Sequence, residues 1–163
     1  MTKGVDISLD FISHSVYLYS PKKMAQIAIN LVENIGMRPV PINRHRIISY
    51  FLKPFFWLVM WLWGLKVYNS VVTYKFPNAM YSKCEGGVSA IILLLESHLS
   101  IHTWPEYNYF HVTISSCGEE PKLNKILESL EELEPILLEY KVAKWENNNF
   151  EEKQRWMETQ FRL

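Results

Sequence analysis

The chain has 163 residues, which is enough for one domain with a hydrophobic core and leaves little room for a second. Its 17 basic and 17 acidic side chains cancel, so no net charge attracts nucleic acid. Two cysteines, Cys84 and Cys117, are too few for a disulfide framework, and the first residues lack the apolar core of a signal peptide. We therefore expect a single cytoplasmic domain over residues 1–163, with both thiols free.

The first part of the chain predicts a strand followed by a helix. Apolar and polar residues alternate over residues 7–11, and the extended stretch continues to Tyr19. Ser20 and Pro21 then suit the cap and the first turn of a helix, whose apolar residues recur at one-face spacing. Gly36 is predicted to end this helix, because glycine adopts a left-handed conformation without strain.

An apolar segment, residues 47–67, dominates an insertion predicted over residues 43–70. Its charges are Lys53, which is followed by Pro54, and Lys66 near its end, and its uncharged part, residues 55–65, is eleven residues long. We expect a helix with three alternative settings. It is buried against the domain or a second subunit, it lies in the membrane interface as a peripheral contact, or it crosses the bilayer. Crossing takes roughly 20 apolar residues, which disfavours the last setting.

The second half predicts two strands, a helix and a final strand. Residues 88–95 form an apolar run of strand length, and residues 107–116 alternate. A helix begins near Pro121, and residues 137–142 form the last strand, before a polar tail at 145–163. The order β-α-β-β-α-β is typical of an α+β two-layer sandwich, with both helices on one face of an antiparallel sheet.

The stretch ESHLSIHTWPE at residues 96–106 is the most informative part of the sequence, and Tyr107 continues it. Cys117, followed by a glycine, stands twenty residues after Ser97, and Ser89 stands eight residues before it in a Gly-Val-Ser. This pattern resembles the processing signature of the small bacterial and archaeal type of S-adenosylmethionine decarboxylase. Its length makes it far more specific than a short motif.

The resemblance is close over residues 87–118, loose over 5–36 and 119–143, and absent over 43–70 and 145–163. It implies a self-processing enzyme that decarboxylates S-adenosylmethionine for polyamine, in particular spermidine, synthesis. It also implies a homodimer with active sites shared between its subunits. No metal is predicted, because the histidines and cysteines outside the motif lack the spacing of a ligand set.

Decarboxylation of an amino acid needs an electron sink that no ordinary side chain provides. A serine can supply one if Ser97 attacks the carbonyl of Glu96 to form an ester. Elimination then gives dehydroalanine, which hydrolyses to a pyruvoyl group with loss of ammonia. The elimination needs a base such as a histidine. His102 lies an odd number of positions from Ser97, so a regular strand would put the two side chains on opposite faces. Ser97 is therefore predicted at a turn, bulge or strand end.

The resemblance implies a role for each motif residue. His102 would be the base, Ser89 would support the rearrangement by a hydrogen bond, and Cys117 would return a proton to the substrate carbon. Trp104 and Glu106 would line the substrate site, where a tryptophan offers a stacking face and a carboxylate can bind ribose hydroxyls. Taken singly each residue also fits a structural role, and their shared register favours the catalytic one.

Lys83 stands where the family carries an aromatic residue that helps to sandwich the adenine. Lysine cannot stack as a phenyl ring does, although its charge can meet a carboxylate. Two alternatives therefore stay open. The same chemistry can act on arginine or ornithine, or the chain can be an uncleaved, non-catalytic partner that regulates an active subunit.

Overall fold

The structure is a computed structural model. It describes residues 3–40, 65–68, 70–75, 86–95, 97–146 and 149–156. Lys83, Cys84, Glu96 and the apolar segment up to residue 64 lie outside the described residues. The predicted helix at 47–64 therefore stays a prediction.

One antiparallel sheet organises the described part of the chain, with its first strand in the interior and paired on both sides. The order across the sheet is β2-β3-β4-β5-β6-β1-β7-β8. The strands are β1 (Lys3–Ile12), β2 (Leu65–Tyr68), β3 (Val71–Lys75), β4 (Val88–Leu94), β5 (Ser97–Trp104), β6 (Tyr109–Ser116), β7 (Ile136–Glu146) and β8 (Asn149–Trp156).

Two helices, α1 (Pro21–Asn34) and α2 (Leu123–Leu130), pack against each other and contribute to one hydrophobic core with the sheet. The predicted start of α1 is confirmed, because the Ser20 hydroxyl accepts a hydrogen bond from the Lys23 amide at 3.3 Å. Gly36 follows the end of α1 with a φ of 79°. The predicted antiparallel sheet with two helices is confirmed.

The core lies on the face of the sheet that the helices cover. Alternate residues of β1 and β6 point into it and are fully buried, and the rings of Phe11 and Phe110 stack there at 4.7 Å between centroids. The opposite face, which we call the open face, carries the other alternating set, including His102 and His111. No described helix covers the open face, so its side chains are available for chemistry or for a partner.

Replacing Phe110 with alanine should destabilise the protein by about 3–5 kcal/mol, because the change empties a fully buried site and removes the ring stacked on Phe11. Chemical denaturation followed by circular dichroism measures the loss. Val16→Ala, at a side chain that is 76% exposed, is the control and should change the free energy of unfolding by less than about 0.5 kcal/mol. Equal stabilities of the two variants would contradict this placement of the core.

The four-strand order predicted from the sequence is incomplete. Residues 97–104, which received no strand, form β5, where Leu99 and Ile101 are buried and pair with both neighbouring strands. The strand predicted from residue 107 begins at Tyr109, because a 3-10 turn precedes it and Asn108 has a left-handed φ of 52°. The alternation of Leu99, Ile101 and Thr103 with polar residues is a strand signal that the prediction overlooked.

Three predicted boundaries are wrong. The first strand ends at Ile12 rather than Tyr19, because the Ser13 amide bonds to the carbonyl of Asn108 and the chain turns into a 3-10 helix. Residues 65–67 of the predicted insertion helix belong to β2, and their β-branched neighbours in β3 favour a strand. Residues 149–156 of the predicted polar tail form β8 on β7, which itself runs past residue 142.

Among the described residues, no helix has the length and apolar character needed to cross a membrane.

Candidate active site

A row of polar side chains crosses the open face at right angles to the strands. Ser89 on β4 pairs with His102 on β5, and His102 pairs with His111 on β6. Asp10 on β1 pairs with His111 on one side and with Glu139 of β7 on the other. Residues directly opposite each other in an antiparallel sheet lie on the same face, so the row is continuous across five strands.

His102 is hydrogen-bonded to Ser89, with 2.7 Å between its Nδ1 and the serine Oγ. Burial, and secondly the positive charge of His111, lower the pKa of His102 below its ordinary value of 6.5. The imidazole is therefore unprotonated at neutral pH and can accept a proton. The predicted base and the predicted supporting serine thus lie together.

His111 is held by partners on two sides. Its Nδ1 lies 2.7 Å from a carboxylate oxygen of Asp10, and its Nε2 lies 3.1 Å from the hydroxyl of Thr113. The Tyr109 hydroxyl donates to the same Asp10 oxygen. Burial, and then this hydrogen bond, raise the pKa of Tyr109, so its hydroxyl stays protonated and acts as a donor.

Ser97 is the first residue of β5, as its odd spacing from His102 had led us to expect at a strand end. Its Oγ accepts a hydrogen bond from the backbone amide of Cys117 at 3.4 Å. Cys117 follows the last residue of β6, and its thiol is exposed and free. Ser97 and Cys117, twenty residues apart in sequence, therefore meet at one end of the sheet.

Within one chain the two pairs of predicted catalytic residues are far apart. Ser97 pairs with Leu94 in the ladder, whereas His102 pairs with Ser89, five residues further along β5. Five residues of extended strand span about 17 Å. No proton can pass directly between side chains over that distance. A single chain therefore holds a serine with a cysteine at one place and a histidine with a serine at another.

Trp104 and Glu106 adjoin the histidine end of the row. The Trp104 ring lies 6.0 Å from the His102 ring and 5.4 Å from that of Tyr109. Glu106 lies in the 3-10 turn after β5, and both its carboxylate oxygens are buried without a hydrogen-bond partner among the described residues. A buried carboxylate without a partner is costly, so this group is free to bind a ligand that carries donors or a positive charge.

Asp10, Tyr109 and His111 were missed as site residues by the sequence reasoning. The alternation of residues 107–116 implies a polar face that includes Tyr109 and His111, but no role was assigned to His111 because the histidines outside the motif lack a metal-like spacing. Asp10 lies 101 positions from His111 in the sequence, and only the pairing of β1 with β6 brings them together. Strand register is the signal that would have found them.

A pocket elsewhere in the fold lacks the residues of the row. A pocket of about 460 Å³ is lined by charged residues near the start of α2 and on β7, including Glu120 and Lys144, and none of its lining residues belongs to the row. The described ranges contain no group of three histidine, cysteine or acidic side chains arranged to hold a metal ion. We therefore place the candidate active site on the open face.

The described chain is a two-layer domain in which two helices back an antiparallel sheet, and a histidine is hydrogen-bonded to a serine on the open face of that sheet. Residues 51–142, more than half of the chain, match the family model of S-adenosylmethionine decarboxylase, and the chain belongs to that family. The match begins inside the segment 43–70, where the resemblance read from the sequence had been absent.

Curated relatives fall into two groups by name. The arginine decarboxylase proenzyme of Aeropyrum pernix is 54% identical over 52 residues, covering 31% of this chain and 39% of that protein. The S-adenosylmethionine decarboxylase proenzyme of Persephonella marina is 45% identical over 58 residues, covering 35% of this chain and 44% of that protein. The chain thus spans less than half the length of these relatives.

A solved structure shares the fold. The adenosylmethionine decarboxylase from Aquifex aeolicus superposes with a TM-score of 0.52 and 16% sequence identity, over 95% of this chain and 90% of that chain. At this identity the likeness concerns the architecture alone.

Proposed function

We propose that the chain is a self-processing, pyruvoyl-dependent decarboxylase with S-adenosylmethionine as its first candidate substrate. The hydrogen bond between Ser89 and His102 carries the proposal, because it holds an unprotonated imidazole that can accept a proton. Membership of the family supports the same class of reaction. The product would supply aminopropyl groups for polyamine synthesis.

Processing converts the backbone at Ser97. Its Oγ attacks the carbonyl carbon of Glu96, so that an ester replaces the peptide bond. A base then takes the α-proton of Ser97, and the carboxylate of Glu96 leaves with the electrons of the ester C–O bond. Water hydrolyses the remaining dehydroalanine and ammonia departs. The products are a chain ending at Glu96 and a chain that begins with a pyruvoyl group at position 97.

The surroundings of Ser97 fit a pyruvoyl group. The backbone amide of Cys117 points at the Ser97 oxygen and can donate to an oxygen that gains negative charge there. When formed, a pyruvoyl carbonyl supplies the electron sink for decarboxylation. The exposed thiol of Cys117 lies beside this position, and we assign it the return of a proton to the substrate carbon.

A homodimer completes the site in this proposal. The base that Ser97 needs is about 17 Å away in its own chain. Two sheets that meet through their open faces around a twofold axis can set the sheet end that carries Ser97 and Cys117 in one protomer beside Ser89 and His102 of its partner. Apolar side chains on the open face of β4 support such a contact, since Ile91 and Leu93 are largely exposed in the single chain.

The substrate is proposed from Trp104 and Glu106. A tryptophan face suits an adenine ring or a cationic sulfonium, and a buried carboxylate suits ribose hydroxyls. Arginine is the second candidate, because the same carboxylate can pair with a guanidinium, and because a relative named arginine decarboxylase proenzyme is 54% identical over 52 residues.

Release of labelled carbon dioxide separates the candidate substrates. The processed protein is incubated in turn with S-adenosylmethionine, arginine and ornithine, each labelled in its carboxyl group. We expect the highest kcat/KM with S-adenosylmethionine. A higher kcat/KM with arginine would make arginine the substrate and leave the proposed reaction unchanged. If the cleaved protein releases carbon dioxide from none of the three compounds, the proposed activity is overturned.

Replacing Glu106 with glutamine should leave the folded protein as stable or raise the free energy of unfolding by about 1 kcal/mol, because it removes a buried carboxylate that has no hydrogen-bond partner among the described residues. The KM for the substrate should rise roughly tenfold, because the ligand loses a charged acceptor. Glu128→Gln, at an exposed position of α2, is the matched control and should change neither quantity. A Glu106→Gln protein that is destabilised with an unchanged KM would assign Glu106 a structural role instead.

A further inference from the structure

His111 occupies the one ladder position that connects His102 to a carboxylate. It pairs with His102 across β5 and β6 and with Asp10 across β6 and β1. The two histidines are therefore neighbours on the same face, at the spacing of about 4.5–5.5 Å between the Cα atoms of paired residues. The side chain of His111 is 26% exposed and that of Asp10 is 16% exposed, so both are shielded from bulk solvent.

We propose that His111 is a positioning residue for His102: Asp10 and Thr113 hold its ring beside His102 in the row, where it keeps the His102 ring aligned on Ser89 during processing and, when it is charged, opposes a proton on His102. This inference rests on the proposed function, because it concerns the base of the self-cleavage reaction. His111 itself touches neither Ser97 nor, in the proposal, the substrate.

The partners of His111 fix where its ring lies. Asp10 and Thr113 hold its two nitrogens, so the ring cannot rotate away from His102 without losing both hydrogen bonds. Two neighbouring imidazoles titrate as a coupled pair. A charge on His111 opposes a proton on the neighbouring His102.

The other charged and titratable groups near His111 lie on its own strand and on the strands to either side. Tyr109 lies on the same strand and stays a neutral donor. On β7, beyond Asp10, lie Glu139 and Lys141, which form an ion pair with each other at 2.9 Å. On the other side, the neighbours of His111 in the row are His102 itself and the uncharged Ser89. His111 is thus the titratable group that pairs directly with His102 in the described sheet.

A histidine titration followed by NMR tests the proposal on the uncleaved, full-length Ser97→Ala protein. The His102 ring signal is assigned by its absence from the spectrum of the His102→Gln variant. His111→Gln removes the charge and His111→Lys keeps it, and His14→Gln, at an exposed loop position, is the matched control. The second readout is the rate of self-cleavage against pH in the protein that retains Ser97.

With glutamine at position 111, His102 should take up its proton at a higher pH than in the wild type, because the opposing charge is gone. The acidic limb of the cleavage profile should move to higher pH by the same amount, with a rate loss of roughly tenfold near that limb. His111→Lys should titrate closer to the wild type, and His14→Gln should match it.

An unchanged titration of His102 in the His111→Gln protein would overturn the proposal. Equal shifts with glutamine and lysine would also overturn it, because they would leave His111 a packing role without a charge effect. A wild-type chain that never cleaves at any pH would contradict the proposed function instead. The NMR titration would still decide the role of His111 in that case.

Discussion

Replacing Ser97 with alanine is expected to abolish self-cleavage completely, because the variant has no hydroxyl to attack the preceding carbonyl. The wild-type chain should split into pieces of 96 and 67 residues, the division of 163 residues after Glu96. Denaturing electrophoresis and intact mass spectrometry distinguish the two proteins. Ser115→Ala, at a half-buried serine on the open face of β6, is the matched control and should split like the wild type.

A Ser97→Ala chain that still splits would remove Ser97 from the reaction. A wild-type chain that stays whole would favour the alternative function, in which the protein is an uncleaved partner of an active subunit.

Combining His102→Ala chains with Ser97→Ala chains is expected to restore cleavage, because the distance along β5 requires the base to come from a partner. His102→Ala alone should split more slowly than the wild type by a factor of about 10²–10⁴, the usual contribution of a general base. When His102→Ala and Ser97→Ala chains are co-expressed with different tags, about half of the His102→Ala chains should lie in mixed dimers, where the partner supplies the histidine. Those chains should split, and the Ser97→Ala chains should not.

Absence of cleavage in the mixed sample would contradict a site shared between subunits. Cleavage of His102→Ala alone at the wild-type rate would contradict the role of His102. Light scattering on the same sample checks that dimers have formed, so the two outcomes can be separated from a failure to assemble.

Local sequence signals predicted the elements that depend on local physics. The start of α1 followed from Ser20 and Pro21, and its end from Gly36, because caps and turn residues act over only a few positions. β5 was missed although its apolar and polar residues alternate, because the segment was interpreted as a processing motif and not for its period of two. β8 was not predicted, because its polar residues form a strand only by pairing with the edge of β7.

The sequence predicted individual residues of the candidate site but not the distances and contacts between them. Odd spacing correctly placed Ser97 at a strand end, since side chains alternate along a strand. The same spacing could have given the separation of Ser97 from His102, because five residues of strand cover a length that no hydrogen bond spans. The contact of Asp10 with His111 had no local signal, since it depends on which strands pair and in which register.

The mass of the wild-type protein after purification tests the central claim most directly. The account predicts two chains, and the one that begins at position 97 should be lighter by one ammonia than the product of simple hydrolysis, because its first residue carries a ketone in place of an amine. Treatment with a hydrazine should add one label to this chain and none to the chain that ends at Glu96. A single chain of full mass, or a second chain that begins with an unmodified serine and takes no label, would contradict the account.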